Sequence, residues 1–121
     1  MVAQSFTDLI VWQKAHSFVL SIYKVTNNFP KEELYGLTAQ IKRATVSISS
    51  NLAEGFVRHS KKEKAQFYYI ALGSITEVQN QLLIARDLKF LYKKDFNALA
   101  TNTIELSKLT NGLIRSLHLS S

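Results

Sequence analysis

Residues 34–55 read LYGLTAQIKRATVSISSNLAEG, and two local structures compete for them. Taken alone, Val46-Ser47-Ile48-Ser49-Ser50-Asn51-Leu52 alternates apolar and polar residues as a half-buried strand does. Leu34, Leu37, Ile41, Ala44, Ile48 and Leu52 instead recur at three and four residues, and this period holds over about 19 residues against about seven for the alternation. Length decides for the helix, and with it for an all-α chain. Gly55 stands where a left-handed C-cap residue would end that helix.

Upstream, Pro30 is the only proline. In Asn27-Asn28-Phe29-Pro30-Lys31 its missing N–H and fixed φ suit the first turn of a new helix and oppose continuation of an old one. Before it, Val11, Ala15, Phe18, Ile22, Val25 and Phe29 recur at helical spacing, with Lys14, Ser21 and Lys24 on the other side. That predicts an amphipathic helix capped by Ser5 or Thr7.

Downstream, Ser60-Lys61-Lys62-Glu63 has the S-x-x-E form of a capping box and starts a third helix at Lys61. Its face is Phe67, Ala71, Ser74, Val78, Leu82 and Ala85, with Ile70 and Ile75 beside it. A turn around Lys89 to Lys93 leads to a fourth face of Phe96, Leu99, Thr103, Leu106, Thr110, Leu113 and Leu117. The predicted helices span 7–27, 31–55, 61–88 and 94–117. Connections this short have no slack to cross a helix length, so neighbours run antiparallel. The expectation is one domain over 1–121, an up-down-up-down antiparallel four-helix bundle, with its first and third turns at one end and the Phe56 to Ser60 turn at the other.

The absence of Cys excludes a disulfide framework, a Cys-ligated zinc module and a redox dithiol. Apolar runs such as Phe67 to Leu72 fall far short of the ~20 residues of a membrane span, so no membrane partner is expected. Asp8, Trp12, Gln13 and Lys14 interrupt the apolar stretch that a cleavable signal requires, which makes the cytoplasm the expected compartment. Fifteen Lys and Arg against nine Asp and Glu leave a net charge of +6, a balance that favours polyanionic partners.

Residues for catalysis are scarce. His16, His59 and His118 fall on different helices or turns, and the Glu-x-x-His pairs of bundle metal centres occur nowhere, so neither a metal nor a cofactor is expected. Ser21-Ile22-Tyr23-Lys24 has the S-x-x-K spacing without the accompanying S-D-N and K-T-G elements. Phosphate-cradling glycine motifs are missing as well. The chain reads as a non-enzyme with no catalytic residues and no small-molecule substrate.

Two polar constellations remain. Gln40, Arg43, Ser47, Asn51 and Glu54 climb the second helix beside its apolar stripe. They form either a groove with Glu54 as acid or base, or a structural network closing on Glu77 or Gln81 of the third helix or on a neighbouring subunit. The structural reading is preferred, because such networks set register in helical assemblies. On that reading Arg43→Ala would strand a buried carboxylate and cost about 3–5 kcal/mol. The second constellation is Arg58-His59-Ser60-Lys61-Lys62-Glu63-Lys64, in which Arg58, Lys61, Lys62 and Lys64 are candidate phosphate contacts, with Tyr68 or Tyr69 placed to stack on a base. Against it stands a solvated helix start that keeps the protein soluble. Arg86, Lys89, Lys93 and Lys94 form a second basic cluster near the other end, beside Lys31.

Small residues at Ala44, Ser47, Ser50, Ala53, Ala71, Gly73 and Ser74 let helices approach closely. Gly73 costs about 1 kcal/mol in a helix interior, so something is expected to pack against it. Ile10, Trp12, Val19, Tyr35, Val46, Tyr69, Ile84, Ile104 and Ile114 lie off or at the edges of the four stripes and suggest a subunit interface.

Leu9-x-Val11-Trp12-Gln13-Lys14-Ala15, Phe29-Pro30-x-x-Glu33-x-Tyr35-Gly36-Leu37-x-x-Gln40-Ile41-x-Arg43-Ala44-x-x-Ser47-Ile48-x-x-Asn51-x-Ala53-Glu54-Gly55 and Ala71-x-Gly73-Ser74-x-x-Glu77 together resemble a bacterial four-helix-bundle family, first associated with intervening sequences in 23S ribosomal RNA genes. The resemblance runs from about Phe6 to Leu117. Leu88-Lys89-Phe90-Leu91 departs from it where many members place Gly in the turn. The resemblance implies a non-enzymatic bundle that assembles as a ring-like homopentamer. It is also similar in fold to the accessory protein of diversity-generating retroelements, a basic pentamer that binds a reverse transcriptase and nucleic acid. Arg43, Asn51 and Glu54 match the family's polar motif, where their implied role is structural. The expected function is therefore a homo-oligomeric bundle that binds RNA or an RNA-handling protein through its basic ends, the alternative being a protein-protein assembly scaffold.

Overall fold

The computed structural model describes residues 2–119, among which the chain forms four helices and no strand. They are α1 (Ile10–Thr26), α2 (Leu37–Val57), α3 (Lys61–Asp87) and α4 (Lys93–Leu119). Each packs on its neighbours in sequence, α1 closes on α4, and the diagonal pairs do not meet. That is the expected antiparallel four-helix bundle. The rings of Phe29 and Phe90, 5.7 Å apart, bring the α1–α2 and α3–α4 connections to the same end.

The helix starts differ from the reading of the sequence. Ser5 caps a separate 3-10 turn, Phe6–Asp8, in which Asp8 reaches back to the Ser5 N–H, and α1 begins only after the extended residue Leu9. Pro30 does open a turn, but it is another 3-10 turn, Lys31–Glu33. Gly36 separates it from α2, whose Leu37 N–H is capped by Glu33 Oε1 at 3.0 Å. Leu34 is thereby left off the helix and 51% exposed.

Most of the predicted stripe residues meet in one core, from Val11, Ala15, Phe18 and Ile22 through Ile41, Ile48 and Leu52 to Val78, Leu82 and Leu106. At its edges two predictions exchange places. Ile70 is 50% exposed while its neighbour Tyr68 is buried, and Ile114, assigned to a subunit interface, is buried in the core. Two buried threonines satisfy their hydroxyls against the preceding turn, Thr45 Oγ1 donating to the Ile41 carbonyl at 2.7 Å and Thr103 Oγ1 to that of Ala100 at 2.7 Å, whereas Thr110 Oγ1 is buried without a partner among the described residues. Burial raises the Tyr68 pKa above its ordinary value of 10.0.

Gly55 is not a left-handed cap. It lies inside α2, which continues to Val57, and among the described residues no glycine has positive φ. Its role is steric, because a Cβ at this position would stand 2.5 Å from Tyr68 Cε1 and 3.1 Å from Phe67 Cβ. The left-handed residue is Lys89, with φ 64°. Phe90 N–H donates to the Ala85 carbonyl at 2.8 Å and Lys89 N–H to that of Arg86 at 3.0 Å, the paired bonds of a Schellman termination with Lys89 at the position glycine prefers.

Two substitutions should therefore act against ordinary helix propensity. Gly55→Ala is expected to destabilise the fold by about 1–3 kcal/mol despite the better helix former, because the buried Tyr68 ring must move. Lys89→Gly is expected to stabilise it by about 0.5–1 kcal/mol by relieving the left-handed strain. Urea unfolding of both variants reads the two signs directly.

Candidate nucleic-acid interface

The α2–α3 turn is built from its cations inward. Ser60 Oγ accepts from Glu63 N–H at 3.1 Å and donates to Glu63 Oε1 at 3.2 Å, which fixes the start of α3 and occupies the Glu63 carboxylate. Arg58 pairs with Glu54 one helical turn earlier at 2.8 Å, and its guanidinium lies over the Phe67 ring at 4.7 Å. Its Nε is buried without a partner among the described residues. Lys64 folds back over α2, its Nζ donating to the Phe56 carbonyl and lying 5.3 Å from the centre of the Phe56 ring. A cation on the free carbonyls of a helix C-terminus also offsets the negative end of the helix dipole.

The four sequence-predicted phosphate contacts thus divide. Arg58 and Lys64 hold the turn together, whereas Lys61 and Lys62 are exposed on its surface, as is the neighbouring His59. Tyr69 is exposed beyond the turn, while Tyr68, the other candidate for base stacking, is buried in the core against Gly55. At the opposite end Arg86 is paired with Asp87 at 2.8 Å and lies over the Phe96 ring at 4.9 Å. The hydrogen bond from Arg86 holds the Asp87 carboxyl below its ordinary range.

The polar row on α2 closes on a residue that the sequence reading placed in the apolar face. Asn51 Nδ2 donates to the Ser47 carbonyl at 2.8 Å and to Ser47 Oγ at 3.0 Å, and Ser47 Oγ meets Ser74 Oγ of α3 at 2.8 Å. Neither Glu77 nor Gln81 receives the row. Glu77 is exposed and accepts only a long 3.4 Å bond from Gln81 Nε2. Arg43 is exposed and makes no hydrogen bond or ion pair among the described residues, so the expected buried Arg43–carboxylate pair is not formed within one chain. Within a single chain its predicted cost of removal falls with it. Ser74 was hidden because one serine in an apolar stripe carries the same period as its neighbours; only the facing Ser47 gives its hydroxyl a role.

Two clefts of the bundle lie apart from both constellations. A cleft of about 180 Å3 between α1 and α4 is lined by Lys14, Ser17, Ser21, Asn102 and Glu105, and one of about 260 Å3 between α3 and α4 by Leu82, Leu83, Phe96, Ala100 and Ile104. Neither contains Arg43, Asn51, Glu54 or Glu77. Ser21 Oγ, the serine of the S-x-x-K spacing, donates to the Ser17 carbonyl at 3.2 Å. Among the described residues no His, Cys, Asp and Glu cluster is placed to hold a metal, and no helix is long and apolar enough to cross a membrane.

Fold and surface together define a small antiparallel helical bundle with a basic turn. The chain belongs to the 23S rRNA-intervening sequence protein family, whose model matches residues 7–112. Its fold is similar to the crystal structure of a protein of unknown function from the S23 ribosomal protein family of Bacteroides thetaiotaomicron, at 20% identity and a TM-score of 0.81, over 88% of this chain and 96% of that one. No curated relative matches. Neither the family description nor that of the structural neighbour indicates an enzymatic activity.

Lys64→Ala should lower stability by about 1 kcal/mol through loss of its charged bond to the α2 carbonyls. Lys62→Ala should change it by less than about 0.5 kcal/mol, as expected for an exposed surface side chain. Thermal and urea unfolding of the two variants separate the structural lysine from the surface one.

Proposed function

We propose that this protein is a non-enzymatic, homo-oligomeric helical bundle of the cytoplasm that binds RNA through the turn joining α2 to α3. The observation that carries the reading is the fate of the carboxylates at that turn. Glu54 is paired with Arg58 and Glu63 is bonded to Ser60, and Lys62 stands exposed beside Lys61 on the first turn of a 27-residue helix. Cations there oppose the helix dipole unless an anion shares the site. A phosphate at this position meets both the lysines and the amide end of α3.

Assembly multiplies the effect. A ring of five, the state implied by the family resemblance, would carry about +30, enough for strong attraction to a polyanion at low salt. A second reading is favoured by Arg58 and Lys64, whose charges are used inside the turn: the bundle would be an assembly scaffold whose partner is another protein, such as an RNA-handling enzyme.

Titration of a labelled structured RNA at several salt concentrations distinguishes the two. The variant of choice is Lys61→Glu/Lys62→Glu, with Lys64 retained because it holds the fold. Native protein should bind with an affinity that falls steeply with salt, and the variant should bind weakly, its salt slope reduced by about 1.5 per turn engaged. Absence of binding by the native protein at low salt would end the RNA reading and leave the scaffold.

A further inference from the structure

One surface of the bundle is unexplained by anything inside a single chain. On α3, Ile70, Gly73, Glu77 and Ile84 recur at three, four and seven residues and are all exposed, the two isoleucines by 50% and 41%. A Cβ at Gly73 would meet nothing within 4 Å, so its own chain gives no reason for a helix-weakening glycine there. Beside this ridge, on the α3 edge of α2, Arg43 and Ser50 are exposed as well. Among the described residues Arg43 has no partner, and Glu77 has only its long bond from Gln81. The carbonyl oxygen of that Gln81 side chain is buried with no donor, a further sign that the seam is incomplete in the single chain.

The register of the seam makes the two free charges complementary. The Ser47–Ser74 hydrogen bond sets those residues level across antiparallel helices. Counting four residues each way places Arg43 level with position 78, within one residue rise, about 1.5 Å, of Glu77. By the same count Ser50 lies level with position 71, close to Gly73. In a closed assembly whose symmetry axis runs along the bundle, levels are preserved from copy to copy.

We propose that this face is covered by a second copy of the chain, α2 of one copy lying against α3 of the next, with Arg43 paired to Glu77 of the second copy and the bare backbone at Gly73 admitting the small Ser50 side of α2. The opposite charges select the partner, and the exposed Ile70 and Ile84 supply apolar area around them. The inference rests on the homo-oligomeric reading above and specifies which surface carries it.

Light scattering of the full chain over a range of micromolar concentrations tests it, using the native protein, Arg43→Glu, Glu77→Arg, the double reversal, Gly73→Gln and, as a control on α1, Leu20→Ser. The expected result is an oligomer that each single reversal weakens by about tenfold or more in dissociation concentration and the double reversal restores. Gly73→Gln should dissociate it while raising helix content, and Leu20→Ser should leave it intact. An oligomer whose mass is indifferent to the reversals, or reversals that move only the melting temperature, would overturn this surface and leave the oligomeric reading standing. A native monomer throughout the range would overturn both.

Discussion

The contact on which the bundle depends is the close seam between α2 and α3. It is lined by side chains too small to hold helices apart: Ala44, Ser47 and Gly55 on one side, Ala71 and Ser74 on the other. At its centre the Ser47–Ser74 hydrogen bond at 2.8 Å sets the register. Toward the turn, the Tyr68 ring lies against the bare backbone of Gly55. Either feature displaced by one residue would carry apolar stripes out of the core, because side chains one position apart on a helix point about 100° apart. The block from Asn51 to Gly55 is intelligible there as geometry: Asn51 steadies Ser47, Glu54 anchors Arg58, and Gly55 admits Tyr68.

That seam determines how the basic turn is composed. Lys64 is drawn back over the last carbonyls of α2, and Arg58 is held by Glu54 and Phe67, so half of the positive charge in Arg58-His59-Ser60-Lys61-Lys62-Glu63-Lys64 is structural. The exposed part of that charge is narrower than the string of letters suggests, and it lies on the first turn of α3. Structural cations and recognition cations are indistinguishable in one dimension, since both are Lys or Arg within a few residues of a helix boundary. The difference lies in which carbonyls and carboxylates fall within reach after folding.

The core shows the same division between period and neighbour. Helical spacing located Val11, Ile22, Ile48, Val78 and Leu106 correctly, because residues at the centre of a stripe are buried whatever the exact crossing of the helices. At stripe edges the period is ambiguous. Ile70 and Tyr68 stand on either side of the α3 face, and which one enters is set by the space that Gly55 leaves open. Ile114, at the edge of the α4 stripe, is taken into the core for the same kind of reason. Gly36 and Glu33, not Pro30, decide where α2 begins, since a side-chain carboxylate that caps an amide four residues on has no fixed sequence signature.

From its amino acids alone this protein is determined to be an all-α antiparallel bundle. Long helical periods, short connections and a single proline admit little else, and each of those signals is local. The basic character and the want of catalytic or metal-binding patterns are equally legible, being sums and spacings. Only the tertiary structure decides that Gly55 is a packing residue and Lys89 the left-handed one. It likewise decides that Ser74 closes the polar row, that Lys64 is spent on the fold, and that Arg43 and Glu77 stand exposed. Each of these depends on what another helix brings to within a few ångströms, and distance between segments remote in sequence is a quantity the order of residues does not contain.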